Sequence, residues 1–308
     1  MTSSAHKLGE LKIRLREVSD LNSAGAVLYW DQATYMPPGG AEARGRQVAL
    51  MARIAQEKFI DPAVGKLLDD LQPLAESLPY DSDDASLIRV TRREYEKAVR
   101  IPPDFLALFS EHSSAGYQAW TEARPANNFK KTIPFLEKTL DLSRRLADFF
   151  PGYEHIADPL INFADYGMKT TTIRKIFSAL SGRLVPLVQA ITAQDPRDDS
   201  CLKQFFPEKE QLAFGEMVIK RFGFDFSRGR QDKTHHPFET RFSSGDVRIA
   251  TRIQENDFGD GFFSTTHESG HALYEQGVDP ALEGTPLAQG TSAALHESQS
   301  RTWENIVS

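Results

Sequence analysis

A chain of 308 residues, 40% hydrophobic and 26% charged, can bury a large core, which excludes a disordered protein. A net charge of −7, with Lys and Arg scattered rather than striped, excludes a nucleic-acid partner. The only cysteine, Cys201, rules out an internal disulfide; neither a signal-peptide core after Met1 nor a bilayer-length apolar run is seen, so a soluble, cytoplasmic protein without a membrane partner is expected.

The chain reads as helix after helix. Leu8, Leu11, Leu15, Val18 and Leu21 recur at helical spacing, and the pattern runs to Leu28-Tyr29-Trp30 before Met36-Pro37-Pro38-Gly39-Gly40 stops it. Trp30 reads as packing and Asp31 as a helix-end cap. A second helix spans about Ala41 to Phe59, and a shorter one carries Val64, Leu67, Leu68 and Leu71. The segment Ser82 to Val99 is a largely solvated helix with a narrow apolar stripe, because Arg, Glu and Lys alternate there at i, i+4 spacing. Helices follow from Pro103 to Arg124, from Ile133 to Phe150, from about Thr172 to Ala193 with Thr170 or Thr171 as cap and a kink at Pro186, and from Pro207 to Phe222.

Between Gly223 and Asp257 the pattern changes. Phe238 to Phe242 and Val247 to Arg252 are short, β-prone and separated by Ser243-Ser244-Gly245, which predicts a small hairpin or sheet. Then comes His267-Glu268-Ser269-Gly270-His271. A helix puts residues i and i+4 on one face, so both imidazoles can hold one metal ion with Glu268 beside it. Phe262, Phe263, Ala272, Leu273 and Tyr274 supply the apolar side, and Gly277 stands where a left-handed cap is expected.

Catalytic zinc usually takes three protein ligands and a water. The third candidate is Glu297, on a helix that Thr291-Ser292 can cap after the break at Gly284-Thr285-Pro286 and Gly290. His296 is the alternative, though it points about 100° away around that helix; Arg301, one turn after Glu297, is expected to pair with a carboxylate behind the ligands. Two imidazoles and a carboxylate suit zinc and admit cobalt or manganese. The chemistry is peptide hydrolysis, with Glu268 moving the proton. Arg248 is the candidate for a substrate's terminal carboxylate or the oxyanion, and a salt bridge with Asp246 or Glu297 is an equal reading.

The ordered segments His236-Pro237-Phe238, Asp246-Val247-Arg248, His267 to Glu275 and His296-Glu297-Ser298-Gln299-Ser300-Arg301 resemble the motifs of the carboxypeptidase Taq (M32) metallopeptidases, as do Tyr29-Trp30-Asp31-Gln32, Met36-Pro37 and Asp158-Pro159-Leu160. The resemblance implies a mostly helical, saddle-like fold with a deep groove, related in outline to neurolysin-type peptidases, and a homodimer. It implies His267, His271 and Glu297 as ligands, Glu268 as general base, and substrate-terminus roles for His236, Asp246 and Arg248. Ala250 departs from the family's D-x-R-x-T pattern, although Thr251 follows it.

No repeat or linker divides residues 1–308, so one mainly helical domain is expected, a scaffold over 1–222 and the metal region over 223–308. Trp303, Ile306 and Val307 continue a helical pattern without a stop, from which we expect a fold incomplete relative to the family, an exposed apolar surface and weakened activity. Three functions compete: a carboxypeptidase acting on peptides with a free C-terminus, an endo-oligopeptidase of the same metal chemistry, and a fragment with little activity.

Overall fold

The computed structural model describes residues 2–308. Eleven α-helices and one three-stranded sheet account for most of these residues. The helices are α1 (Thr2–Thr34), α2 (Ala41–Phe59), α3 (Pro62–Ser77), α4 (Asp83–Ala98), α5 (Pro103–Ala123), α6 (Ile133–Asp148), α7 (Asp158–Ala164), α8 (Thr170–Thr192), α9 (Glu208–Phe222), α10 (Phe258–Gln276) and α11 (Ala293–Thr302). No helix is long and apolar enough to cross a membrane among the described residues.

The leucine spacing in α1 buries one stripe. Leu8, Leu11 and Leu15 pack against Val64, Leu67, Leu68 and Leu71 of α3 and Leu87 and Ile88 of α4. Local caps fix where these helices start: the Asp61 side chain accepts from the Ala63 N–H ahead of α3, and Ser82 accepts from the Ala85 N–H ahead of α4. Only Ala85, Leu87, Ile88 and Thr91 of α4 are buried, the narrow stripe its charge pattern predicts. Asp31 is not a side-chain cap. Its carbonyl closes α1 by accepting from the Tyr35 and Met36 N–H groups, while its carboxylate pairs with Arg44 at 2.7 Å.

The start of α8 also departs from expectation. Neither Thr170 nor Thr171 caps it; the Thr170 N–H donates to Asp158 at 2.8 Å, and the other Asp158 oxygen accepts from the His155 N–H at 3.0 Å. One carboxylate thus ties the starts of α7 and α8 together. On α8 itself the apolar side chains Ile176, Phe177, Leu180, Leu184, Leu187, Val188 and Ile191 are exposed, as are Ile306 and Val307. Gly277 ends α10 at φ −80°, in the right-handed region, because the chain runs on into a turn capped by Asp279 rather than reversing. The left-handed cap occurs instead at Gly223, with φ 106°, after α9.

The sheet contains the expected hairpin, β2 (Phe238–Ser243) and β3 (Asp246–Thr251), and a further strand, β1 (Gly229–Lys233), in the order β1-β3-β2. β3 runs parallel to β1 and antiparallel to β2. Val247 and Ile249 are fully buried with Ile219, Phe224 and Ala272, so this face of β3 packs on α9 and α10. Side chains directly across an antiparallel pair share a face. Glu239, opposite Ile249, and Arg241, opposite Val247, therefore lie on the α10 side, whereas Phe238, Thr240 and Arg248 face α1.

Asp158 yields the first prediction. Thr170 and the His155 N–H hold its carboxyl down to about 2, so its contribution is complete above the ordinary carboxylate pKa of 3.8 and is lost as pH falls through about 2. Asp158→Ala should accelerate amide hydrogen exchange in the first turn of α8 at neutral pH and remove the acid-induced loss of protection between about pH 4 and 2. Unchanged exchange in that turn would refute the tie.

Candidate metal centre

α10 carries His267 and His271 on one face, their ring centroids 5.0 Å apart. Ser292 opens α11 by accepting from the Leu295 N–H at 3.2 Å, and α11 then lies directly against α10. The contact is set by Gly270. A Cβ there would come within 2.6 Å of the Ser300 Cα and 3.0 Å of the Gln299 carbonyl, backbone atoms that cannot step aside. Glu297, one turn before Ser300, is thereby brought over the two imidazoles: its carboxylate lies 3.2 Å from His271 Nε2 and 3.7 Å from His267 Nε2.

The partners of the remaining ring nitrogens fix the tautomers. Glu304 accepts from His267 Nδ1 at 2.8 Å, so a proton sits on Nδ1 and, in the neutral ring, Nε2 carries the lone pair. His271 reaches the same state through two steps. Glu275 accepts from His296 Nε2 at 2.9 Å, which leaves His296 Nδ1 as an acceptor, and His271 donates its Nδ1 proton to it at 2.7 Å with the rings stacked. Both unprotonated Nε2 atoms then face Glu297. Burial, then the neighbouring His296 and His267, pushes the His271 pKa down to about 4, which keeps it neutral, the form able to hold a cation.

Carboxylates crowd the rest of the site. Glu268 is pushed up to about 8 by burial and by Glu297 and Glu304. Glu239 is held well above the usual range by burial and by Glu275 and Glu268, and its Oε1 is buried without a hydrogen-bond partner. Ligand atoms of His267, Glu268 and His271 all lie within 4.8 Å of one another. Two imidazoles among several acidic groups form a donor set that a divalent cation satisfies and that lacks sufficient positive charge of its own. The residues therefore fit such an ion. Arg301 supplies partial compensation, 3.2 Å from Glu297 and 2.8 Å from Glu304.

A groove of about 690 Å³ opens over this centre, lined by His236, Phe238, Glu239, Arg252, His267, Glu268, His271, His296, Glu297 and Arg301. Of the residues singled out from sequence, Asp246 and Arg248 do not line it. Arg248 makes a two-pronged pair with Asp246, both distances 2.8 Å, and its guanidinium lies over Trp30 at 4.3 Å and Phe242 at 4.9 Å, on the α1 side of the sheet. Sequence reasoning missed Glu275, Glu304, Glu239 and Arg252. The first two carry a helical signal, since Glu275 stands four residues after His271 and Glu304 seven after Glu297. The other two depend on which strand face meets α10 and where the groove opens.

Gly270→Ala should push α11 from α10, lowering stability by about 1–3 kcal/mol and separating Glu297 from the imidazoles. Gly182→Ala, where an added Cβ meets nothing within 4 Å, is the control for helix propensity. Glu304→Ala, which unseats the His267 proton, should weaken metal affinity about 10- to 100-fold with the fold intact. Competition with a chromogenic chelator measures both; equal affinities in all variants would refute the arrangement.

The profile of the carboxypeptidase Taq (M32) metallopeptidases matches residues 10–308. The chain is 36% identical over 304 residues to thermostable carboxypeptidase 1 of Thermus thermophilus, an alignment covering 95% of this chain and 59% of that protein. The chain thus spans about three fifths of the length of that relative. Among solved structures, the M32 carboxypeptidase of Deinococcus radiodurans R1 superposes with a TM-score of 0.84 at 48% identity, covering 98% of this chain and 60% of that one. The carboxypeptidase of Pyrococcus furiosus superposes with a TM-score of 0.83 at 32% identity, covering 98% and 61%. With near-complete coverage of this sequence by the profile and by both folds, the chain belongs to the carboxypeptidase Taq (M32) family of metallopeptidases.

Proposed function

We propose that this chain hydrolyses the C-terminal peptide bond of peptides with a free C-terminus, using a divalent cation, zinc foremost, held by His267, His271 and Glu297. The observation that carries this reading is the convergence of two Nε2 lone pairs and the Glu297 carboxylate, with Glu268 beside them. The names of the relatives, carboxypeptidases each, agree with it. When bound, the cation would polarise the scissile carbonyl and acidify a water, which is Lewis-acid chemistry.

The chain's own groups do the rest. Glu268, ionised beside a bound cation, takes a proton from the attacking water as the new C–O bond forms, and returns one to the leaving nitrogen as C–N breaks. β2 is an edge strand beside the groove, so its free backbone groups can align an extended peptide. His236 and Arg252 line the groove, and in this reading they meet a terminal carboxylate. Arg252 already holds Asp260 at 2.6 and 2.9 Å, which limits its swing. Asp246 and Arg248 serve the substrate end indirectly, by clamping the sheet to Trp30. A groove that carries cations favours a carboxypeptidase over an endo-oligopeptidase, since internal cleavage presents no terminal carboxylate to neutralise.

Glu268→Gln should retain the cation in elemental analysis while hydrolysis falls at least about 100-fold, because the carboxylate is a base and not a ligand. Glu297→Ala should lose metal as strongly as His267→Ala does. A mass-spectrometric time course on a free peptide and its C-terminally amidated twin separates the activities: stepwise loss of single residues from the free peptide alone supports the proposal, and internal cleavage of both contradicts it. Protein holding only calcium or magnesium would contradict the ligand set.

A further inference from the structure

A second cavity lies outside the groove, between α5 and α6. It holds about 640 Å³, within the range of roughly 300–1,000 Å³ that small-molecule sites occupy. Its walls are aromatic: Tyr29, Tyr117, Trp120 and Phe135 line it, and Phe129 and Leu136 stand exposed at its mouth. Gly116 lies on its α5 wall and leaves room for the ring of a guest. One cation lines the same cavity. Arg124 makes no ion pair among the described residues, and the neighbouring carboxylate Glu122 is already taken by Lys131.

Flat apolar walls favour a planar ring that can meet aromatic faces and edges. A guanidinium without a partner at an apolar cavity favours a carboxylate, where the charge-assisted hydrogen bonds are strong and two-pronged. We propose that this cavity is a binding site for a small aromatic carboxylate, separate from the metal groove.

The site shares a wall with the groove. Trp120 stands edge-on to His236 with centroids 6.1 Å apart, and Tyr29 edge-on to Phe238 at 6.0 Å, so a guest leans on the segment His236-Pro237-Phe238 that lines the groove. The proposal stands on this geometry and not on the peptidase activity.

Calorimetric titration of the whole chain with N-acetyl-tryptophan and with its uncharged amide tests it. The acid should bind the native chain more tightly than the amide. Arg124→Gln, an exposed change that leaves the fold alone, should weaken the acid about tenfold and the amide hardly at all, the effect of one charge-assisted hydrogen bond. Gly116→Leu fills the cavity, and a Cβ there makes only ordinary contact with Phe135 at 3.8 Å; it should weaken both probes by tenfold or more with no fall in melting temperature. Acid and amide binding alike would reduce the cavity to a generic apolar cleft and overturn the proposal. Absence of binding at millimolar probe, or acid binding unaffected by either substitution, as for a probe held in the metal groove, would overturn it too.

Discussion

The metal centre depends on a cluster of acidic groups whose ionised forms the protein's own cations only partly offset. Glu268, Glu297 and Glu304 gather around two imidazoles whose protons are already committed elsewhere, and Arg301 alone reaches two of these carboxylates. Such a cluster is unfavourable without a counter-ion, since burial penalises the charged carboxylate and like charges penalise one another. The same arrangement makes the imidazoles good ligands: neutral, with the donor nitrogen bare and the ring orientation fixed from behind. Binding and electrostatic relief are one event here.

The sheet divides its labour by face. On one side of β2 and β3, Glu239 and Arg241 look toward α10, and Arg241 joins Glu275 and Glu283 in a half-buried network that also supports His296. On the other, Arg248 and Asp246 lock against Trp30 and Phe242. A single register keeps both sets in place, because slipping one residue would exchange them. The face toward α10 is thus held in register by contacts on the opposite face.

Much of this was legible in the sequence where the cause is local. The bounds of α2 and the cap of α11 at Ser292 follow from turn residues and periodicity, and the motif at His267 to His271 places two imidazoles together wherever it is helical. What was not legible depends on partners distant in sequence. β1 reads Gly-Arg-Gln-Asp-Lys and has no apolar alternation to announce it; pairing with β3 makes it a strand. The cap of α8 comes from Asp158, twelve residues upstream, and for Arg248 charge and the family resemblance left the substrate end and a salt bridge with Asp246 as equal readings; its pairing with Asp246 over Trp30 follows from strand alternation and the position of α1. The resemblance to a family implied a ligand set, but not the hydrogen-bond relay through His296 and Glu275.

The contact at Gly270 and Ser300 has a meaning for protein engineering. Transplanting two histidines and a glutamate onto a new helix reproduces the ligands of one segment, yet the third ligand arrives only if another helix can approach to backbone contact. A scaffold built for such a centre therefore needs a missing side chain as much as it needs the three proposed to bind, and a search that scores ligand identities alone will accept helices that can never close over an ion.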